Sequence, residues 1–184
     1  MRIEARMEEL GLVIPEPLKL PPGVELPFPW VRVHGNHAYI SGHGPQLADG
    51  TLAGPFGKVG ADVSAEEAYE AARLTGLGII GSLKRALGDL DRVTAWLSAF
   101  GMVNAGPGFT STPGVINGFS DLILAIWGPD AGSHARSAVG MAELPFGIPV
   151  EIEATVEVTG DRCQEIGEIN KSVLPQTCQL TPDT

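Results

Sequence analysis

One arginine and three glutamates, carried by two short apolar runs, are the residues of this sequence best suited to chemistry. Arg136 stands in the first run, Glu151 and Glu153 stand in the second, and Glu143 lies between them. Arginine always carries its charge and presents a rigid set of donors, so within an apolar segment it needs a carboxylate or phosphate partner. The pattern predicts a small anion-binding site on a sheet.

The partner of Arg136 is open at this stage. Glu143, Glu151 or Glu153 could neutralise it across an antiparallel strand pair, which is what most buried arginines require. Composition alone favours this internal pair. The alternative is that a ligand supplies the anion.

Several segments of the chain resemble the RidA family, which is also called YjgF. Ala-Arg-Ser at 135–137, then Leu-Pro at 144–145 and Val-Glu-Ile-Glu-Ala at 150–154, resembles the family signature. Other segments are similar to its early strand, its helix start, its helix end and its second helix: 38–42, 60–63, 88–93 and 115–117. The order and spacing match from about Pro27 to Val158, so the chain is identified as a member of a divergent branch of this family.

The resemblance implies an α+β fold similar to that of chorismate mutase. It implies a mixed six-stranded sheet with two helices packed on one face. In the family, three chains form a trimer whose sheets wrap into a central barrel, with ligand clefts between subunits. We therefore expect a homotrimer, with Glu151 at a subunit boundary.

The resemblance also implies an activity, the hydrolysis of small reactive enamines or imines such as 2-aminoacrylate to a keto acid and ammonia. Arg136 would bind the carboxylate of the substrate, and Glu151 would hold or deprotonate the attacking water. If Glu151 instead pairs with Arg136, it would contribute orientation only. Asn117 matches the family's asparagine and could bind a ligand or act as a packing residue, and backbone near Ser137 or Ala138 would complete the site.

Three positions bear on how much of the family's activity transfers. Phe28 stands where the family has a tyrosine, and Ala138 stands where it has a cysteine. His43 occupies a position that lines the family's cleft, where it could act as an acid or base, although a turn histidine bonded to backbone is the alternative. These departures leave a second function open, a trimeric protein that binds a carboxylate metabolite without converting it.

Composition argues against a polyanionic partner. The chain has 184 residues, 22 acidic against 12 basic, and a formal charge of −10. Nucleic-acid affinity rests on lysine and arginine, so the ribonuclease label of some relatives fits poorly here. His34, His37 and His134 have no metal-ligand spacing, and we expect neither a metal nor a cofactor.

The pattern of the chain predicts three regions: an N-terminal helix and proline-rich arm over 1–26, a RidA-like domain over 27–160, and a tail over 161–184. Within them we predict a short helix over 2–11, a β-hairpin over 30–41, a long capped helix over 64–87 and a strand buried on both faces over 92–103. A second helix opened by Thr112-Pro113 follows over 113–127, a strand after the loop 128–134 carries Arg136, and the last strand spans 149–159. Cys163 and Cys178 are expected to be free thiols in the tail. No signal peptide or membrane span is apparent, so we expect a cytoplasmic protein.

Overall fold

The computed structural model describes residues 2–20, 23 and 25–159 of the chain. Its sheet contains five strands, β1 (Val31–His34), β2 (His37–His43), β3 (Val93–Asn104), β4 (Ala135–Met141) and β5 (Val150–Val158), in the order β1-β2-β5-β3-β4. All neighbouring pairs are antiparallel except β3 and β4, which are parallel. The prediction of a mixed sheet in an α+β fold is confirmed.

The predicted strand count of six is not found in the described part of the chain. The segment between β2 and the first long helix pairs only through isolated bridges, such as Gln46 with Leu52 and Val59 with Ala105. Glycine and proline recur there, including Gly50 and Gly57, whose φ angles are +87° and +124°. Such conformations interrupt a regular ladder of hydrogen bonds.

Three helices accompany the sheet: α1 (Arg2–Glu9), α2 (Ala65–Leu87) and α3 (Thr112–Gly132). Helix α2 begins at the predicted capping box, in which Ser64 accepts from the backbone of Glu67 and the Glu67 carboxylate accepts from the backbone of Ser64. It ends at Gly88, which adopts the left-handed conformation with φ of +75°. These ends place α2 along the sheet as predicted.

The start of α3 differs from the prediction. Ser111, not Thr112, is the N-cap residue, and its side chain makes no capping hydrogen bond. The Thr112 hydroxyl instead donates to the carbonyl of Ala138 on β4 at 3.1 Å. The helix was predicted to end at residue 127, and Gly128 does interrupt α3, with φ of +73°. A further helical turn then follows from Pro129 to Gly132.

Helices α2 and α3 lie on the same face of the sheet, as predicted, and contact each other closely. A methyl group on Gly118 would lie 2.0 Å from the carbonyl oxygen of Tyr69, so the two helix backbones nearly touch there. Gly101 on β3 is covered in the same way by Ile116 of α3. Only glycine fits these contacts, which bring α3 down onto β3 and β4.

The core lies between this sheet face and the helices. On β5 the alternation is as predicted, with Val150, Ile152 and Val156 fully buried. The prediction that β3 is buried on both faces is wrong for the single chain, because Leu97 is 38% exposed and Thr94 and Ser98 are also exposed. The outer face of the sheet is therefore uncovered in one chain.

The N-terminal segment packs against the domain. The Asp91 carboxylate accepts from the backbone N–H groups of Arg2 and Ile3, and the buried side chain of Met7 joins the core. No helix of the described residues is long and apolar enough to cross a bilayer. The region boundaries and the cytoplasmic location stay predictions, and the tail with Cys163 and Cys178 lies outside the described residues.

Candidate functional site

Arg136 is positioned by the contact between β4 and α3. It pairs in register with Ala99 of β3, whose side chain is buried beneath the helices. Its Nη1 donates to Asn117 Oδ1 at 3.0 Å and to Ser120 Oγ at 2.9 Å, and its Nη2 donates to the carbonyl of Pro113 at 3.3 Å. All three acceptors belong to α3 and are neutral.

No carboxylate of the described residues lies within ion-pair distance of Arg136. Glu143, one of the predicted internal partners, pairs instead with Lys58 at 3.2 Å. Lys58 also bonds Asn104 and the carbonyl of Ala142. A guanidinium has five N–H donors, so the three bonds to α3 leave two donors for another acceptor. This geometry favours an external anion over the internal pair.

A groove of about 490 Å³ crosses the outer face of the sheet beside Arg136. Tyr39, Phe100, Ser137 and Glu153 line the groove from the outer face of the sheet. Arg136 also lines it, but its guanidinium is turned toward α3, where it bonds Asn117 and Ser120. The groove is open to solvent and mixes aromatic, hydroxyl and carboxylate groups. Such a surface suits a small polar ligand or a second protein chain.

Glu151 lies on β5, on the outer face of the sheet. Its side chain passes directly over Gly42, where a methyl group would come within 2.0 Å of Glu151 Oε1. Burial raises the pKa of Glu151, and the nearby charge of Glu153 raises it further. A carboxylate with a raised pKa is better matched to proton transfer near neutral pH.

One chain does not bring Glu151 to Arg136. Glu151 pairs with Met102, which pairs with Val139, so Glu151 and Arg136 are separated by two strand spacings and by three positions along β4. These separations are about 10 Å in each direction. Arg136 is in register with buried Ala99 and bonds α3, so its side chain lies on the helix face of the sheet, whereas the side chain of Glu151 lies on the outer face. The predicted site residues thus form two separate groups within one chain.

His43 and Phe28 belong to the group around Glu151. His43 follows Gly42 and is only 5% exposed, and its ring packs against Trp30 at a centroid distance of 4.7 Å and an interplanar angle of 52°. Its Nδ1 contacts the Ser41 carbonyl at 2.6 Å and its Nε2 contacts Ser82 Oγ at 2.8 Å. Phe28 packs edge-on against the other side of Trp30 and is 47% exposed.

Burial lowers the pKa of His43 from 6.5 to about 4, although the Ser41 carbonyl opposes the shift; the charge of Arg85 adds to it. The ring is therefore neutral at physiological pH. Its side chain faces α2, so in one chain His43 supports the strand that carries Gly42. Its predicted role in binding substrate stays a prediction.

Asn117 and Ala138 belong to the group around Arg136. Asn117 projects from α3 and accepts a hydrogen bond from Arg136, as described above. The backbone of Ala138 lies two residues further along β4, and its carbonyl is occupied by Thr112. The structure thus brings Arg136, Asn117 and Ala138 together, as their positions in the sequence led us to expect.

Two residues of this group were not predicted, Ser120 and His134. Ser120 Oγ lies between Arg136 Nη1 and His134 Nε2, at 2.9 and 3.0 Å. Ser120 follows Asn117 by three positions on a helix, which places both side chains on one face. That spacing could have predicted Ser120 from the sequence. The contact of His134 with Ser120 depends on the path of the loop after Gly128, and no sequence pattern predicts it.

One cluster of carboxylates elsewhere resembles a metal site only superficially. Single oxygens of Glu4, Asp89 and Asp91 lie within 4.8 Å of one another. Glu4 pairs with Lys84, and Asp89 and Asp91 accept from backbone N–H groups. The cluster stabilises the junction of α1 with the turn before β3, and we assign no metal to it.

Comparison with known proteins identifies the family of the chain. The profile of the family described as "YjgF/chorismate mutase-like, putative endoribonuclease" matches residues 4–148. The chain belongs to this YjgF family. Protein TCP17 of Trypanosoma cruzi is 38% identical over 160 residues, which cover 85% of this chain and 94% of TCP17.

Two crystal structures are also similar to this YjgF protein. Atu1372 of Agrobacterium tumefaciens, a protein of unknown function, is 39% identical with a TM-score of 0.74, over 85% of this chain and 91% of Atu1372. A protein of Shewanella oneidensis MR-1 that carries an endoribonuclease designation is 30% identical with a TM-score of 0.75, over 85% and 99% of the two chains.

Proposed function

We propose that this protein hydrolyses small enamines or imines that carry a carboxylate, releasing a keto acid and ammonia. The observation that carries the proposal is that every acceptor of Arg136 among the described residues is a neutral group of α3. A protein rarely keeps a fixed, partly buried charge without a counterion unless a ligand supplies it. A bidentate carboxylate would use the two remaining donors.

The reaction follows from the positions of charge. With the carboxylate on Arg136, the neighbouring imine carbon is fixed for attack by water. The water oxygen bonds to that carbon while a carboxylate takes one proton and passes it to the nitrogen. The hydroxyl proton of the resulting carbinolamine is then transferred to its nitrogen, by the same carboxylate, as the C–N bond breaks, which leaves the ketone and releases ammonia. Glu151 is our candidate for the proton carrier, because its raised pKa suits the task.

Arg136 and Glu151 can serve one substrate only if a neighbouring chain brings them together. Among the described residues the outer edges of β1 and β4 have no neighbouring strand, and the outer face exposes Tyr39 and Leu97. We therefore propose a homotrimer in which Arg136 of one chain and Glu151 of the next flank each cleft. Sedimentation velocity gives the direct measurement of this assembly.

The activity is tested by generating 2-aminoacrylate in situ with a dehydratase and following keto-acid release with and without the protein. Acceleration should disappear in Arg136→Ala and fall at least about a hundredfold in Glu151→Gln. Arg32→Ala is the matched control, since Arg32 is an exposed arginine on the opposite edge strand β1. No acceleration by the folded wild-type protein would refute the deaminase proposal for this substrate.

The second candidate is a carboxylate-binding protein without turnover. It is favoured by Phe28, which offers no hydroxyl where a polar group would help to orient water. Calorimetric titration with pyruvate distinguishes the two functions. Binding that requires Arg136, with no keto-acid release from 2-aminoacrylate, would support this candidate.

Ribonuclease activity is the least supported of the three candidate functions. The charge of −10 opposes a polyanion, and Glu153 adds a negative charge to the groove. A real RNA substrate would bind less tightly as salt rises, with a steep slope. RNA cleavage that is insensitive to salt and to Arg136→Ala would point to a contaminant.

A further inference from the structure

We propose that Ser120 and His134 are positioning residues that hold Arg136 in its ligand-binding orientation through a fixed imidazole tautomer. This inference deepens the proposed function, because it concerns the same arginine. It rests on a chain of hydrogen bonds that runs from Arg136 through Ser120 and His134 to the carbonyl of Gly132.

The direction of each bond follows from the chemistry of its ends. His134 Nδ1 lies 2.8 Å from the Gly132 carbonyl, which can only accept, so Nδ1 carries the proton. In the neutral ring Nε2 is then an acceptor, and it lies 3.0 Å from Ser120 Oγ. The serine hydroxyl therefore donates to His134 and turns its lone pairs toward Arg136 Nη1, at 2.9 Å.

The consequence is that His134 determines whether Ser120 serves Arg136 as an acceptor. With Nε2 unprotonated, the hydroxyl hydrogen is held away from the guanidinium. If Nε2 carried a proton, the single oxygen of Ser120 would face two donors, and His134 would no longer orient its hydroxyl. The His134 ring is itself held edge-on against Phe119 at a centroid distance of 5.6 Å, which limits its rotation.

The same arrangement occurs a second time in the chain, at the other end of the helix layer. His43 Nδ1 contacts the carbonyl two residues before it, its Nε2 contacts Ser82 Oγ, and Arg85 donates to that oxygen at 3.3 Å. There the arginine also donates to the carbonyl of Pro15, so the network ties structural elements together. Arg136 differs because its three bonds are to neutral groups of α3 and leave two of its N–H donors for a ligand.

The first test measures the tautomer and needs no ligand. Imidazole ¹⁵N chemical shifts of the full-length protein should show His134 with Nδ1 protonated and Nε2 unprotonated near neutral pH. The opposite tautomer, in which Nε2 carries the proton, would overturn the proposal.

The second test measures the rotation of the Arg136 guanidinium by ¹⁵N exchange NMR. His134→Phe keeps the ring packing but removes the acceptor, and Ser120→Ala removes the hydroxyl, so each should speed Nη exchange by about tenfold. His134→Gln, which offers a carboxamide oxygen, should restore slow exchange. The matched control is His34→Phe, a change at an exposed histidine on β1. Unchanged Arg136 exchange in His134→Phe would overturn the proposal.

The third test uses pyruvate affinity. His134→Phe and Ser120→Ala should each weaken binding by about tenfold, and the double variant should be no weaker than Ser120→Ala alone, because both act through one hydroxyl. Independent, multiplying losses would overturn the proposal. If pyruvate fails to bind the wild-type protein while the NMR results hold, the proposed function fails and the positioning role stands. If pyruvate binds tightly and the His134 variants bind it equally well, the proposed function stands and the positioning role fails.

Discussion

The buried imidazole of His43 predicts that this protein loses stability on mild acidification. Its pKa is lowered to about 4 in the folded chain, against 6.5 for an exposed histidine. Between these values the unfolded chain binds a proton that the folded chain does not, so the free energy of unfolding falls as the pH falls. The difference of about 2.5 pH units corresponds to about 3 kcal/mol, most of it lost between pH 6.5 and 4.5.

The variant His43→Gln removes the titrating group and keeps a side chain that can bond Ser82. At pH 7.5 we expect it to be less stable than wild type, since the ring contact with Trp30 is lost. As the pH falls to 4.5 the gap should shrink or reverse, because only the wild type must suppress protonation. Urea unfolding followed by tryptophan fluorescence, at one fixed protein concentration, measures both curves.

Several carboxylates share the sign of His43: the pKa values of Glu4 and Asp91 are lowered in the folded chain, so their contribution to stability is also lost on acidification. Both proteins carry these groups, so comparing wild type with His43→Gln cancels them. Glu151 acts with the opposite sign, because its raised pKa makes the folded chain bind more protons on acidification. Repeating the comparison in a Glu151→Gln background removes that contribution, and His34→Gln controls for an exposed histidine. Wild-type and His43→Gln curves that stay parallel from pH 7.5 to 4.5 would refute the argument that burial keeps His43 neutral.

Two further predictions concern the helices. Gly118→Ala should destabilise the protein by about 2 to 4 kcal/mol, because the new methyl group meets the Tyr69 carbonyl. Gly114→Ala on the same helix has open space around the new methyl group and should stabilise the protein by up to about 1 kcal/mol. Urea unfolding of both variants measures the difference, and equal effects would contradict the packing described. Ser64→Ala should lower the free energy of unfolding by about 1 kcal/mol, because the helix loses its capping hydrogen bond. Ser111→Ala should change it little, since the Ser111 side chain makes no capping bond. Thermal unfolding compares the two variants, and a larger loss of stability at Ser111 would contradict the assignment of the caps.

The sequence was most informative where short-range rules decide the structure. The capping box at Ser64, the alternation on β5 and the hairpin before His43 follow from hydrogen bonds and burial within a few residues. Predictions that depended on distant contacts fared less well. Thr112 was predicted to start α3 by its type, yet β4 offers its hydroxyl a better acceptor in the Ala138 carbonyl.

The candidate site shows the same division. Arg136 and Asn117 could be placed together because their positions matched a known pattern, and the structure adds a 3.0 Å bond between them. The lack of a carboxylate partner for Arg136 among the described residues could not be predicted, because it depends on Glu151 lying on the opposite sheet face and on Glu143 being held by Lys58. The first fact is set by the register between distant strands, and the second by the contact of the segment before α2 with the segment after β4.

The separation of the two residue groups bears directly on how function and assembly are linked. Arg136 is held by α3 at one edge of the sheet, and Glu151 is held over Gly42 two strands away. A single chain can therefore bind an anion at Arg136, but hydrolysis in the proposed form needs a partner chain to supply the second carboxylate. Dilution below the assembly threshold should then abolish turnover while leaving Arg136 able to bind pyruvate weakly, and turnover by an isolated chain would show that Glu151 is not the proton carrier.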